Sequence, residues 1–260
     1  MRIAVLGLGE AGSIYASDLA GTGEVVTAVD PNAGEIPRGV VRAATIADAV
    51  DGADLVLSLV GAGAAEHVLD DALPAMTTTA IFADLNTAAP AAERAWGVRA
   101  AASGVGFADV GVLAPVPRKR LATPLIVSGD RGERLVEMLT QLGIPATLVG
   151  GEAGDASCLR MVRSVFMKGL AALVFETAEA AEHVGAREWA LEQVAAELGT
   201  GGEALVERML TGTARHAVRR EAEMQDVQKL LETYGARHPM TDSTIDWLQT
   251  IANRTPHESS

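Results

Sequence analysis

The chain has 260 residues, 48% of them hydrophobic, enough to build the core of one large domain or two modest ones, and this excludes a disordered chain. Only 3% are aromatic, so Ala, Val, Leu and Gly must supply the packing, which suits close helix–sheet and helix–helix contacts better than a β-sandwich. A formal net charge of −13 repels a phosphate backbone and argues against nucleic acid as a partner, and a single cysteine, Cys158, excludes an intrachain disulfide framework and a cysteine-rich zinc site.

The apolar run 2–6 is too short for the core of a signal peptide and leads straight into glycines, so it reads as a first strand. From 10 to about 20 the pattern turns helical, with Ile14, Ala16 and Leu19 facing inward. Short β-branched or apolar runs at 25–29, 54–59 and 80–83 continue the strands, and helical stretches near 45–50, 64–73 and 89–102 separate them. Strands alternating with single helices predict a parallel sheet, that is, an α/β, Rossmann-type doubly wound domain. Segments 105–112 and 124–127 extend the sheet around a Pro- and Arg-containing loop, and a helix at 132–142 and a strand at 146–148 complete a first domain over 1–151. From 152 the character changes to an all-α second domain, 152–260. One largely apolar helix runs to about 184, further helices follow at 187–198, 203–210 and 216–234, and a polar tail begins at about 253. No apolar run approaches the roughly 20 residues needed to cross a bilayer, so a cytoplasmic protein with no membrane partner is expected.

Gly7-Leu8-Gly9-Glu10-Ala11-Gly12 satisfies the G-x-G-x-x-G pattern directly after a strand and at the start of a helix. Its glycines suit, in order, a tight turn, close approach to a pyrophosphate, and close helix–strand packing, with backbone N–H groups at the helix start facing the phosphates. Asp30 ends the second strand, where a carboxylate accepts from adenosine ribose hydroxyls and repels a 2′-phosphate, which favours NAD over NADP. An Asp-Pro-Asn turn explains Asp30 equally well from local chemistry, and nearby Arg38 and Arg42 leave NADP open.

These residues resemble the β-hydroxyacid dehydrogenases, related to 6-phosphogluconate dehydrogenase, over nearly the whole chain. Asp84-Leu85-Asn86-Thr87-Ala88-Ala89-Pro90 is similar to the family's segment beside the nicotinamide, and Asp109-Val110-Gly111-Val112-Leu113-Ala114-Pro115 to its substrate loop. The resemblance therefore implies a nicotinamide-dependent oxidoreductase that moves a hydride between NAD(P) and a small hydroxy or carbonyl compound, with an imine or amine substrate, or binding without turnover, as alternatives. Gly7, Leu8, Gly9, Glu10, Ala11, Gly12, Asp30, Pro31, Val60, Asn86 and Thr87 would hold the cofactor, and Val112, Leu113, Ala114, Arg219 and Arg220 the substrate; no metal is called for.

Two departures follow from the same resemblance. The family's Ser-Gly-Gly aligns near Leu113-Ala114-Pro115, and proline has no N–H to offer a carboxylate. The family's lysine and asparagine, four residues apart on a glycine-started helix, align with Arg160 and Ser164. A guanidinium stays charged near neutrality, so Arg160 suits anion binding rather than proton transfer. Lys168 lies about 12 Å along the helix from Arg160 and about 80° around it. It is the first candidate for the proton, with a water held by Ser164 second, and Glu176 is a candidate partner for it. Lys168-Gly169 and Arg219-Arg220-Glu221-Ala222-Glu223-Met224 resemble runs in a poorly characterised bacterial subgroup of the family. Arg219 and Arg220 read equally as helix-surface charges paired with Glu223, and His216 as a structural histidine. Apolar residues around much of the long helix (Leu159, Val162, Phe166, Leu170, Leu173, Val174 and Phe175) predict a homodimer, as the resemblance does.

Overall fold

The structure, a computed structural model, describes residues 1–254, and the last six residues of the expected polar tail lie outside that range. The chain divides into two compact units between Arg160 and Met161. In chain order the first contains β1 (Arg2–Leu6), α1 (Glu10–Gly21), β2 (Val25–Val29), β3 (Val41–Arg42), α2 (Ile46–Val50), β4 (Leu55–Ser58), α3 (Ala62–Ala72), β5 (Ile81–Asp84) and α4 (Pro90–Ala102). β6 (Gly106–Val112), α5 (Val116–Lys119), β7 (Leu125–Ser128), α6 (Gly132–Gln141) and β8 (Ala146–Gly150) follow. The long helix α7 (Asp155–Glu182) begins in this unit and crosses the division.

The eight strands form one sheet in the order β3-β2-β1-β4-β5-β6-β7-β8. All neighbours are parallel except β6 and β7, which pair antiparallel, so the expectation of a parallel sheet holds for the first six strands and not for the edge beyond them. The first helix and the first strands fall within a residue or two of their predicted positions, and the two-residue β3 was not foreseen. Successive residues of each strand point to opposite faces. Ile3, Val5, Leu55, Leu57 and Val127 pack on one side with Tyr15 and Leu19 of α1 and Leu135 and Leu139 of α6. Ala4, Leu6, Val56, Phe82 and Phe107 pack on the other with Val50 of α2, Leu69 of α3 and Trp96 of α4. Burial on both faces explains why these strands read as continuous apolar runs. The order reverses between β1 and β4, and crevices outside the carboxyl ends of strands at such a switch point take ligands in open α/β sheets.

The second unit is helical throughout its described residues: the rest of α7, then α8 (Arg187–Glu197), α9 (Gly202–Thr233) and α10 (Pro239–Arg254). The two helices expected at 203–210 and 216–234 are the two arms of α9, which meet at a kink at His216, whose φ of −122° and ψ of 23° leave the helical region. α10 was not anticipated; it packs along α9 with Ile245, Leu248 and Ile251 buried. No described helix is long and apolar enough to cross a membrane.

Candidate cofactor and catalytic site

The carboxyl ends of β1, β2, β4 and β5 bring the first group of expected residues to one edge of the sheet. The three glycines of the turn divide by what a side chain would meet. A Cβ on Gly7, at a φ of +90°, would lie 2.6 Å from the Leu59 carbonyl oxygen, and one on Gly12 would lie 2.0 Å from that of Gly7. A Cβ on Gly9 would meet nothing within 4 Å. Gly7 and Gly12 are thus required by the protein's own backbone, whereas Gly9 caps α1 without a side-chain partner and opens onto space. The first amides of a helix have no intrahelical acceptor, so those following Gly9 suit an anion.

Asp30 does not stand clear of the protein. One of its carboxylate oxygens accepts from the Leu8 amide at 2.7 Å and the other from the Asn32 amide at 2.7 Å. The turn reading of Asp30 is therefore present in the structure, and Leu8 directs its amide to Asp30. Each oxygen retains a second lone pair, so ribose hydroxyls can still donate to it. Pro31 is exposed beside it, and Arg42 is tied down by donating to the Ala33 and Gly34 carbonyls.

Asn86 is buried and fully engaged: its amide nitrogen donates to Ser58 Oγ at 2.8 Å and Asp84 Oδ1 at 2.6 Å, and its oxygen accepts from the Gly61 amide at 2.6 Å. It holds the turn after β4, where Val60 is half-buried, while Thr87 is exposed beyond it. Behind Asn86 runs a polar row that sequence reasoning missed. Ser58, Asp84, Asp109 and Ser128 are register partners across β4 to β7, each at most 1% exposed, on the face covered by α4. Asp109 accepts from the amides of Gly154 and Ser157, the Ser157 hydroxyl and the Ser128 hydroxyl, so a buried carboxylate receives the start of α7. Glu93 of α4, also fully buried, meets Asp84. Burial first, then the neighbouring Asp84 and Asp109 charges, push its carboxyl up to about 11, while Arg160 pulls weakly the other way. Burial likewise pushes Asp84 up to about 6, opposed by its hydrogen bonds from Asn86 and the contacts with Glu93 and Ser58. Arg160 thus supplies positive charge near a cluster of buried carboxyls.

On α7 beyond the division, Lys168 donates to Ser164 Oγ at 2.9 Å and pairs with Glu223 at 2.6 Å, with both charged side chains 14% exposed. Glu223 also takes Arg219 at 3.2 Å, and Arg220 donates to the buried Thr213 hydroxyl. Lys168 and Arg219 therefore meet at Glu223, Ser164 joins them through Lys168, and Arg220 feels the Glu223 charge. Glu176 is not the partner of Lys168: it accepts from Trp247 Nε1 at 3.0 Å. In the first unit, Val112, Leu113 and Ala114 are half-buried at the start of the loop to β7; the Leu113 amide is used by the Pro124 carbonyl, and Arg120 in the same loop pairs with Asp18 of α1. Among described residues no cluster could hold a metal ion.

Residues 2–150 match the family described as the NAD binding domain of 6-phosphogluconate dehydrogenase, and residues 181–251 a domain of unknown function. A conserved hypothetical protein from Sinorhizobium meliloti 1021 is 30% identical, with a TM-score of 0.75 over 100% of this chain and 91% of that one. A conserved protein of unknown function, described as structurally similar to 3-hydroxyacid dehydrogenases, is 28% identical, with a TM-score of 0.76 over 97% of each chain. An imine reductase from Streptomyces aurantiacus shares the fold at 21% identity, with a TM-score of 0.64 over 96% of this chain and 94% of that one.

Proposed function

The chain belongs to the 6-phosphogluconate dehydrogenase NAD-binding-domain family, and from that premise we propose that it is an NAD(P)-dependent oxidoreductase acting on a small hydroxy or carbonyl compound of the β-hydroxyacid kind. The observation that carries this reading is the open space over Gly9, between two glycines that the backbone itself requires. It is the feature that distinguishes a pyrophosphate-binding turn from a merely tight one. When bound, the nicotinamide supplies or accepts the hydride. The chain's own residues then have three tasks. Gly9, Glu10 and Ala11 hold the pyrophosphate through backbone N–H groups, and Asp30 holds the adenosine ribose in preference to a 2′-phosphorylated one. Arg160 holds a substrate anion or the charge that develops on oxygen. Lys168, fixed between Ser164 and Glu223, carries the proton, directly or through the Ser164 hydroxyl. Residues 1–151 form the cofactor domain and 152–260 the domain of substrate binding and dimerisation.

One observation favours an imine substrate as the second reading. The loop at Leu113-Ala114-Pro115 has no side-chain hydroxyl, no N–H at Pro115 and a Leu113 amide already taken by the Pro124 carbonyl, so it is poorer in the donors that the resemblance associates with a substrate carboxylate. Turnover of NADH and NADPH against a panel of aldehydes, keto acids and cyclic imines tests both readings. Turnover of keto acids or aldehydes supports the first and turnover confined to cyclic imines the second. No turnover, with the dinucleotide still bound, overturns both in favour of a binding protein.

A further inference from the structure

Glu93 stands at a position where a charge is not tenable. It lies on the buried stripe of α4 with Pro90, Trp96 and Ala100, and both its oxygens are enclosed without an N–H or hydroxyl donor. The ionisable groups around it are Asp84 on β5, Asp109 on β6 and Arg160 on α7, two carboxyls against one guanidinium. Burial raises the Asp109 carboxyl, opposed by the donors at the start of α7, and Asp84 receives the Asn86 amide and backbone N–H. A carboxyl that touches another carboxyl and no other donor must itself bring the proton, because two ionised carboxylates only repel.

We propose that Glu93 is a positioning residue for the cofactor turn: a buried neutral carboxylic acid that donates to Asp84, so that Asp84 fixes the Asn86 amide and Asn86 fixes the Gly61 amide at the start of α3. The links after the first are hydrogen bonds from Asn86 to Asp84 at 2.6 Å, from Asn86 to Ser58 at 2.8 Å, and from Gly61 to Asn86 at 2.6 Å. The chain of bonds explains why Asn86, expected to touch the cofactor, is turned inward. It acts on the dinucleotide through Gly61, whose φ of +87° and open surroundings leave no packing on the side a Cβ would occupy, and whose other backbone tie is the hydrogen bond its carbonyl accepts from the Ala64 amide at 3.1 Å. A half-satisfied buried network is costly and loosens what it holds, so loss of the one donor at its root should be felt at Gly61.

The proposal rests on the dinucleotide reading of this edge, and the test separates the two. In the unaltered protein at about pH 8, surface carboxyls are ionised, so infrared spectroscopy should show a protonated-carboxyl band that Glu93→Gln removes. Glu93→Gln and Glu93→Met are close in volume, yet only glutamine can donate to Asp84. Glu93→Gln should keep NADH affinity within about threefold and retain protection of the Gly61 amide in hydrogen exchange; Glu93→Met should lose about tenfold in affinity and most of that protection. No protonated-carboxyl band, or equal Gly61 protection in the two variants, overturns the proposal, and the band is read without any variant having to fold. If the parent protein binds no dinucleotide while the band and the difference in protection are both present, the cofactor reading fails and the hydrogen-bond chain stands as a structural device only.

Discussion

Replacing Gly9 and Gly12 one at a time should separate cofactor binding from folding. At Gly12 a new methyl would lie 2.0 Å from the Gly7 carbonyl oxygen and 3.0 Å from its carbon, a backbone contact that no side-chain movement can relieve. Overpacking of that kind costs about 3 kcal/mol, which in a chain of this size lowers Tm by roughly 6 to 12 °C. At Gly9 the φ of −63° suits any residue and no atom lies within 4 Å of the added carbon, so Gly9→Val should leave Tm within about 2 °C of the parent. The valine would, however, occupy the space above the helix start. Losing two charge-assisted hydrogen bonds to a phosphate, at about 1.5 kcal/mol each or more, weakens binding about 100-fold or more. Thermal unfolding and fluorescence titration with NADH and NADPH read the two effects independently. Gly9→Val binding within about threefold of the parent would refute the assignment of this turn to the pyrophosphate, as would a Gly12→Ala variant that melts unchanged.

Three further outcomes are expected. NADH should bind with a dissociation constant about tenfold or more below that of NADPH because of the Asp30 carboxylate, and the reverse order in a titration would remove Asp30 as the discriminator. Lys168→Ala should lower the turnover rate about 100-fold with little effect on cofactor affinity; full turnover with an unchanged pH profile would make the Lys168–Glu223 pair structural. The groove of about 880 Å³ lined by Val162, Phe166, Leu170, Leu173 and Met240 should be covered by a second copy of the chain, with Gly169 permitting close approach. Phe166, 67% exposed in the single chain, is then an interface residue, and Phe166→Glu should convert a dimer into a monomer in light scattering; a parent that is already monomeric at micromolar concentration defeats the idea.

The parts legible from sequence are those whose signal is local. The strand–glycine–helix start needs only the glycine spacing and the apolar run before it; β4 and β5 announce themselves because burial on both faces leaves no polar position in them until the last residue, Ser58 and Asp84, and β1 and β2 read as strands from short apolar runs whose polar positions are Arg2 and Thr27. The reversed direction of β7 has no such signature, because Leu125–Ser128 would be equally apolar in either direction. Helix α10 was hidden because its buried stripe includes Thr241 and Thr244 beside Ile245, Leu248 and Ile251, so the apolar period is diluted by hydroxyls. Site residues divide in the same way. Gly9 follows from spacing, but the inward turn of Asn86 depends on Ser58 and Gly61, 28 and 25 residues away. A sequence signal for Glu93 does exist: an acid three residues after Pro90 and three before Trp96, on the stripe that α4 buries. A carboxyl on an apolar helical face is either paired or neutral, and asking which would have led to Asp84.

The neutral Glu93 also has a consequence for stability against pH whose sign is fixed by linkage. Its carboxyl is raised from 4.5 to about 11 in the folded protein, chiefly by burial and then by the charges of Asp84 and Asp109. Between those values the folded state holds a proton that the unfolded state has released, so stability falls as pH rises, by at most about 1.4 kcal/mol per pH unit. Its contribution is complete below 4.5 and is lost progressively up to about 11. Asp84, raised from 3.8 to about 6 by burial, acts with the same sign over a lower window, which closes before neutrality. Glutamine at position 93 keeps the donor and has no proton to lose. Glu93→Gln should therefore unfold at nearly the same temperature as the parent at about pH 5 and at a progressively higher relative temperature toward about pH 9. Because the Asp84 window lies below this range for the most part, the growth of the difference above about pH 6 reports Glu93 alone. A difference in Tm that stays constant from about pH 5 to 9 would mean that the carboxyl is already ionised in the folded protein, and that Arg160 outweighs the two neighbouring acids.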